Sequence, residues 1–237
     1  MPSSVQYPCF PSGEPRRISA SVIAALAAAL RTDLFGAVVR PLDVPSLARR
    51  TANLSVNGTR LRIAWDCAHA VHDCEDRPVL GICEHDPEEP GTVFISVNGT
   101  LLDGQPELMR STAVHELGHA IFDMPAAVER RKTQTFSSRL HSATDELQQS
   151  WREWRADEFM GAFLAPRHPL ARAFARCLRE CGAEPRWRLA GDSPSPFVRV
   201  RSINACAFDA ILDSLAEQFG VSQAFIGIRL KKYGFIH

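Results

Sequence analysis

Neither sign of charge is in excess in this sequence, and it has no long apolar run. Lys and Arg together number 27, and so do Asp and Glu, so the basic surplus of a dedicated nucleic-acid binder is missing. The longest apolar run, at 22–30, covers nine residues, whereas a helix needs about 20 to cross a bilayer. Because the N-terminus also lacks a basic start followed by an apolar stretch, we expect a cytoplasmic protein without a membrane partner.

The cysteine content does not favour a disulfide framework. There are seven cysteines, an odd number in a chain without an export signal, which indicates reduced thiols. Some of them lie in a local cluster that could hold a structural zinc: Cys67, His69, His72, Cys74, Cys83 and His85. The spacing contains no CxxC pair, so we favour ordinary packing of these side chains over a second metal site.

The chain alternates between strand-like and helix-like patterns, which predicts an α+β fold with a small antiparallel sheet. Asn57-Gly58 favours a tight hairpin turn, and the β-prone runs at 79–83 and 92–97 indicate a second antiparallel pair. Helical periodicity predicts a helix from Pro106 to about residue 122 and another at 144–164. The largely polar stretch at 123–143 is expected to be a mobile excursion between these helices.

The most informative motif is His115-Glu116-Leu117-Gly118-His119, an HExxH pattern. Residues four apart on a helix lie on one face, so both imidazoles can reach one metal ion. Glu116 follows the first ligand directly and is placed to act as the general base on the attacking water.

A catalytic metal site needs a third protein ligand, and the next predicted helix offers one. Glu153 and Asp157 share a face of that helix. We expect Glu153 to bind the metal and Asp157 to orient a ligand imidazole through its second ring nitrogen. The alternative is that both carboxylates lie on a solvated helix face, and their position shortly after the HExxH motif argues against it.

Three segments together carry a family resemblance: HELGHAIF at 115–122, EWRADEFMGAFLAP at 153–166 and LAEQFGVSQAFIGIRLKKYG at 215–234. In this order they resemble the ImmA/IrrE family of bacterial metallo-endopeptidases, and the likeness extends from residue 79 to residue 233. The resemblance implies a gluzincin-type ligand set of His115, His119 and Glu153, with Glu116 as the general base. It also implies cleavage of helix-turn-helix repressors, which switches on mobile-element or stress-response genes.

Residues 1–17 are rich in Pro, Ser and Gly and have little periodic apolar character, so we expect them to form a flexible tail. We expect a zincin-like metallopeptidase core at 18–166 and a C-terminal helical segment at 167–237 packed on that core. Zinc is the expected cofactor, and manganese is the alternative ion.

A peptidase also needs an oxyanion donor and a surface that holds the substrate. His141 is the best-placed donor by position in the sequence, and the alternative, which we favour, is an ordinary surface histidine in a polar loop. The strand at 92–97, which precedes the active-site helix, is our candidate for pairing with a substrate peptide; an ordinary paired inner strand is the alternative.

The C-terminal segment leaves a second function open. Residues 215–222 have the outline of a helix, a glycine turn and a capped helix, as in a helix-turn-helix. The alternative function is therefore a DNA-binding or regulatory module with a structural or vestigial metal site. Apolar bulk at Phe225, Ile226, Ile228 and Leu230 favours packing or contact with a protein substrate instead.

Overall fold

A computed structural model describes residues 3–138, 151–190, 193–200 and 203–237. The chain divides into two compact units, one formed by 1–38 and 42–163 and the other by 39–41 and 164–237. The described residues contain eight helices, a six-stranded mixed sheet and a two-stranded sheet. The fold is therefore mixed α and β, as predicted.

The large sheet of the first unit combines antiparallel and parallel pairs. Its strands are β1 (Ser3–Val5), β2 (Asn53–Val56), β3 (Thr59–Asp66), β4 (Gly81–His85), β5 (Thr92–Val97) and β6 (Gln134–Ser138), in the order β1-β2-β3-β5-β4-β6. The two predicted antiparallel pairs, β2–β3 and β4–β5, are present. The expectation of a purely antiparallel sheet is wrong, because β1 pairs with β2 and β3 with β5 in parallel. These parallel pairings join segments that are distant in sequence, so no turn motif in the sequence predicts them.

The β2–β3 hairpin has the turn that its sequence requires. Asn57 and Gly58 both have positive φ, at 51° and 92°, as a two-residue type I′ turn demands. Asparagine and glycine are the residues that adopt this conformation at least cost.

The N-terminal segment is not the flexible tail that its Pro, Ser and Gly content suggested. Residues 3–5 form β1, and the buried Tyr7 donates a hydrogen bond from its hydroxyl to the Ile121 carbonyl at 2.8 Å. The Tyr7 ring also lies 5.1 Å from the Phe122 ring, centroid to centroid. The strand pairing and the buried aromatic side chain help to hold this segment, and composition does not reveal them.

Five helices begin in the first unit. They are α1 (Ala20–Phe35), α2 (Val44–Thr51), α3 (Pro106–Phe122), α4 (Met124–Arg130) and α5 (Trp151–Leu164). Helix α3 begins at Pro106 as predicted, since proline suits the first turn, where its missing N–H costs nothing. The described part of the expected excursion at 123–143 instead forms α4 and β6.

Helix α3 is the most deeply buried helix segment of the site. Its second half, from Thr112 to Phe122, is buried at every position except His115. It packs against β4 and β5 of the sheet. Three residues of β5 are fully buried: Val93, Ile95 and Val97. This packing fixes the direction in which α3 presents its polar residues.

The second unit contains three helices and a hairpin. Helices α6 (Arg167–Glu180), α7 (Ala205–Phe219) and α8 (Gln223–Lys232) accompany β7 (Arg186–Ala190) and β8 (Ser193–Phe197). The hairpin was not expected in a segment predicted to be helical. The sequence does carry a hairpin dipeptide, Gly-Asp at 191–192, but the Gly and Pro residues at 191–196 were interpreted as a break in a helical pattern.

Within the part of the chain that the structure describes, none of the helices combines the length and apolarity required to cross a bilayer.

The docking of the N-terminal segment can be tested with Tyr7→Phe. The change removes the hydrogen bond to Ile121 and keeps the ring, so the free energy of unfolding should fall by about 1 kcal/mol. Urea denaturation measures the difference. Phe10→Leu is the control, because Phe10 is half-exposed and its loss should change the free energy by less than about 0.5 kcal/mol. If Tyr7→Phe is as neutral as the control, the segment is not held as described.

Candidate metal centre

Helix α3 brings the two histidines of the HExxH motif together. His115 and His119 lie one turn apart, and their Nε2 atoms are 3.2 Å from each other. His119 is buried and the His115 side chain is 12% exposed. The two Nε2 atoms therefore lie close enough together for one metal ion to contact both.

Helix α5 supplies the third donor. Glu153 Oε2 lies 3.3 Å from His115 Nε2, and Glu153 Oε1 lies 3.5 Å from His119 Nε2. Among the described residues, these three side chains form the group identified as able to hold a metal ion.

The spacing of the donor atoms fits a tetrahedral ion. Zinc bonds of about 2.0–2.1 Å at tetrahedral angles place neighbouring donors about 3.3 Å apart. The two Nε2 atoms are 3.2 Å apart, and the Glu153 oxygens, Oε2 for His115 and Oε1 for His119, lie at 3.3 and 3.5 Å from them. Two imidazoles and one carboxylate also form a donor set that zinc accepts, with one position left for solvent.

The approach of α5 to α3 depends on Gly118. A Cβ atom at Gly118 would lie 3.0 Å from Ala156 Cα and 3.3 Å from Ala156 Cβ. Both contacts are tighter than ordinary van der Waals packing. The small residues at 118 and 156 thus let the two helices come close enough for Glu153 to reach the histidines.

Each histidine is oriented by a carboxylate on its second ring nitrogen. Asp157 Oδ1 lies 3.1 Å from His115 Nδ1, and Asp123 Oδ2 lies 3.0 Å from His119 Nδ1. Such contacts fix the ring and leave Nε2 as the atom that is available to a metal ion. Sequence reasoning placed Asp157 in this role.

Asp123 is the residue that sequence reasoning missed. It lies four residues after His119, the same spacing that relates the two histidines, so helical periodicity could have identified it. The buried Asp123 also accepts a hydrogen bond from Arg155 Nη2 at 2.5 Å. A cation thereby compensates a carboxylate that would otherwise be buried at high cost.

The ionisable side chains of the candidate metal centre shift one another's pKa values. Burial lowers the pKa of His115, but hydrogen bonds to Asp157 and Glu153 outweigh it and raise the pKa to about 10. Burial likewise lowers the pKa of His119, and hydrogen bonds to Asp123 and Glu153 outweigh it and raise that pKa. Burial raises the pKa of Glu153, but the two histidines hold it well below its usual value. Without metal, the cluster therefore favours protons on its imidazoles, which a metal ion must displace.

Glu116 lies next to the donors and is fully buried. Strand β4 passes close to it at Gly81, where a Cβ atom would lie 3.0 Å from Glu116 Oε1 and 2.8 Å from Thr112 Cγ2. The charge of Glu116 also acts on both histidines and raises their pKa values. A carboxylate at this position can exchange a proton with a group beside the two Nε2 atoms.

The predicted substrate strand is an inner strand. Strand β5 (92–97) pairs with β3 on one side and with β4 on the other, so its hydrogen-bonding edges are both occupied. The described edge of the sheet on this side is β6, and Phe136 in β6 stacks on the His119 ring at 4.5 Å and 3°. Period-two patterning does not distinguish an inner strand from an edge strand, which explains the error.

The remaining candidates do not add to this centre. His141, the proposed oxyanion donor, lies outside the described residues. In the cysteine and histidine cluster, His69 contacts Asp66 and His85 contacts the Thr92 carbonyl. No second metal-binding group is identified among the residues that the structure describes.

The orienting role of Asp123 predicts the effect of Asp123→Asn on metal binding. The change removes the negative charge that Asp123 places beside His119 Nδ1, and zinc binding should weaken by about 10–100-fold. Competition with a chromophoric chelator measures the dissociation constant. Asp103→Asn, which removes an exposed carboxylate, should leave it unchanged, and equal affinity in both variants would refute the role of Asp123.

Alanine substitutions at two helical glycines test the close approach of α3 and α5. Gly118→Ala should destabilise the protein by about 1–3 kcal/mol, because the new methyl meets Ala156, and should weaken zinc binding as Glu153 is displaced. Gly227→Ala in α8 meets no atom within 4 Å and should stabilise by about 1 kcal/mol through helix propensity alone. Thermal unfolding and zinc titration of both variants measure these effects. A stabilising Gly118→Ala would show that the helices are not in close contact.

Comparison of the chain with protein-family models, with curated proteins and with solved structures finds no match.

Proposed function

We propose that this protein is a zinc-dependent endopeptidase. The observation that carries the proposal is the convergence of His115 Nε2, His119 Nε2 and the Glu153 carboxylate at separations of 3.2–3.5 Å. A buried carboxylate, Glu116, directly follows His115 in the chain, and its charge acts on both histidines. Two histidines, a glutamate ligand and a neighbouring glutamate base form a donor and base set suited to hydrolysis of a peptide bond.

Each residue has a definite task in this chemistry. A zinc ion at the site would act as a Lewis acid and lower the pKa of water. Glu116 takes a proton from the water molecule that attacks the carbonyl carbon of the substrate. It then delivers that proton to the amide nitrogen and the carbon–nitrogen bond breaks, which gives a carboxylic acid and an amine that ionise to a carboxylate and an ammonium group.

The surrounding carboxylates keep the ligands ready for this task. Asp157 and Asp123 accept from the Nδ1 atoms, so both imidazoles hold the tautomer that leaves Nε2 available. Arg155 holds Asp123 in place. Manganese is the alternative ion, since imidazole and carboxylate ligands also suit it.

The proposed substrate is a protein, specifically a helix-turn-helix transcriptional repressor. This part of the proposal is supported by the resemblance of the three segments at 115–122, 153–166 and 215–234 to ImmA/IrrE endopeptidases. Its consequence would be expression of mobile-element or stress-response genes. The experiment that tests it is co-expression with each repressor encoded near this gene, followed by mass spectrometry of the fragments.

The second candidate function is a DNA-binding or regulatory module, and α7 and α8 favour it. Gly220, in the left-handed conformation, ends α7, and Ser222 caps α8, so the two helices are joined by a three-residue turn. Against it, α8 buries Ile226 and Leu230 and exposes the apolar Ile228. Salt-dependent binding to a defined DNA duplex without repressor cleavage would favour this function.

Glu116→Gln separates hydrolysis from metal binding. The amide keeps the shape of the side chain but cannot accept the proton, so the cleavage rate should fall by about 10²–10⁴-fold. Zinc content, measured on the same sample, should be unchanged. Glu107→Gln, an exposed change in the first turn of the same helix, should retain the full rate.

Two results would contradict the proposal. A Glu116→Gln protein that cleaves at the wild-type rate would remove Glu116 from the mechanism. Cleavage that persists after complete removal of metal by a chelator would remove the metal itself.

A further inference from the structure

A basic cleft lies beside the metal centre within the first unit. It has a volume of about 180 Å³ and is lined by residues of the N-terminal segment, α3–α4, β6 and the start of α5. Its charged lining residues are Glu14, Asp123, Arg130, Lys132, Arg152 and Arg155. We call it the Arg152 cleft.

Both carboxylates of the Arg152 cleft are already paired with lining residues. Glu14 Oε1 lies 3.1 Å from Arg130 Nη1, and Asp123 Oδ1 accepts from Arg155 Nη2 at 2.5 Å. Among the described lining residues, four cations face two carboxylates, which is a formal excess of two positive charges. A partly enclosed site of this sign attracts anions.

The two remaining cations lie at accessible positions. Lys132 is exposed, and the Arg152 side chain is 48% exposed. Arg152 Nε lies 3.8 Å from Asp123 Oδ1, beyond hydrogen-bond distance, and its guanidinium carbon lies 5.5 Å from the centre of the Phe136 ring. Both side chains can thus turn towards a ligand without breaking a short hydrogen bond.

A buried donor in the cleft lining also has no partner among the described residues. The Arg155 side chain is 10% exposed. Its Nη2 donates to Asp123, but its Nε is buried without a hydrogen-bond acceptor. A buried unsatisfied donor is costly, and an acceptor on a ligand would remove that cost.

We propose that the Arg152 cleft binds an anionic group through Arg152, Lys132 and Arg155. The ligand chemistry is a set of carboxylate or phosphate oxygens, which match the planar donor fork of arginine. Two carriers share this chemistry: an acidic side chain of a protein bound beside the metal centre, and a free anion. The exposed Trp151 at the cleft adds an apolar contact for the carbon part of the carrier.

The site does not depend on peptidase activity, so its test uses binding alone. The probe is inorganic phosphate, which is titrated into the full-length protein by calorimetry at constant ionic strength. The protein is kept free of metal, because phosphate could otherwise bind to the metal ion. The wild type should show saturable binding to one site.

The double variant Lys132→Gln/Arg152→Gln tests which residues bind the anion. Its affinity for phosphate should fall by at least about tenfold, because charge-assisted hydrogen bonds are lost. Both side chains are accessible at the surface, so circular dichroism should show an unchanged fold. The matched control is Arg49→Gln/Arg60→Gln, which removes two exposed charges elsewhere in the same unit and should bind within about twofold of wild type.

A second titration distinguishes the two carriers. It compares an acetylated, amidated pentapeptide that has one central Glu with its Gln counterpart. Binding of the Glu peptide at least about tenfold more tightly than the Gln peptide supports an acidic side chain as the carrier. Phosphate binding without this difference supports a free anion.

Two results would overturn the proposal. One is that neither phosphate nor the Glu peptide binds the wild-type protein. The other is that the two double variants lose affinity equally, since the effect would then come from net charge and not from the cleft.

Discussion

The close contact of two helices governs the rest of this structure. Helix α3 carries both histidines, but the third donor reaches them only because Gly118 lets α5 approach at Ala156. The contact places the Glu153 carboxylate 3.3 Å and 3.5 Å from the two Nε2 atoms. A side chain at position 118 would move α5 outward, and a ligand only slightly displaced no longer fits bonds of about 2 Å.

The histidines and carboxylates of the candidate metal centre can lie this close together only if their charges balance. The candidate ligands and their orienting residues include three carboxylates, on Asp123, Glu153 and Asp157. Imidazole protons balance them in the metal-free protein, as the raised pKa values of both histidines indicate. Arg155 further compensates Asp123. A divalent cation would replace the protons, so metal binding and stability of the site are coupled.

Local sequence signals predicted which side chains of the candidate site lie close together far better than they predicted the strand pairing of the sheet. The HExxH spacing and the Glu153/Asp157 pair depend only on helical periodicity, and the structure brings these side chains within 3.5 Å of His115 or His119. The Asn57-Gly58 turn follows from backbone sterics in the same way. Asp123 obeys the same periodicity and was missed because it lies outside the familiar motif.

Interactions between distant segments could not be predicted in this way. The parallel β3–β5 pair, which makes β5 an inner strand, and the hydrogen bond from Tyr7 to Ile121 both join residues at least 30 positions apart. The composition of 1–17 and 123–143 is typical of flexible segments, yet parts of both form strands of the large sheet. Such pairings depend on which sheet edge is available, and a single sequence carries no direct record of it.

X-ray absorption at the zinc edge of the zinc-loaded protein tests the central claim most directly, because it reports the atoms bound to the metal. The account predicts two imidazole nitrogens at about 2.0–2.1 Å and carboxylate oxygen at about 2.0–2.2 Å, with no sulfur. Sulfur scattering at about 2.3 Å, or a shell without imidazole, would contradict it. Either result would place the metal away from His115, His119 and Glu153.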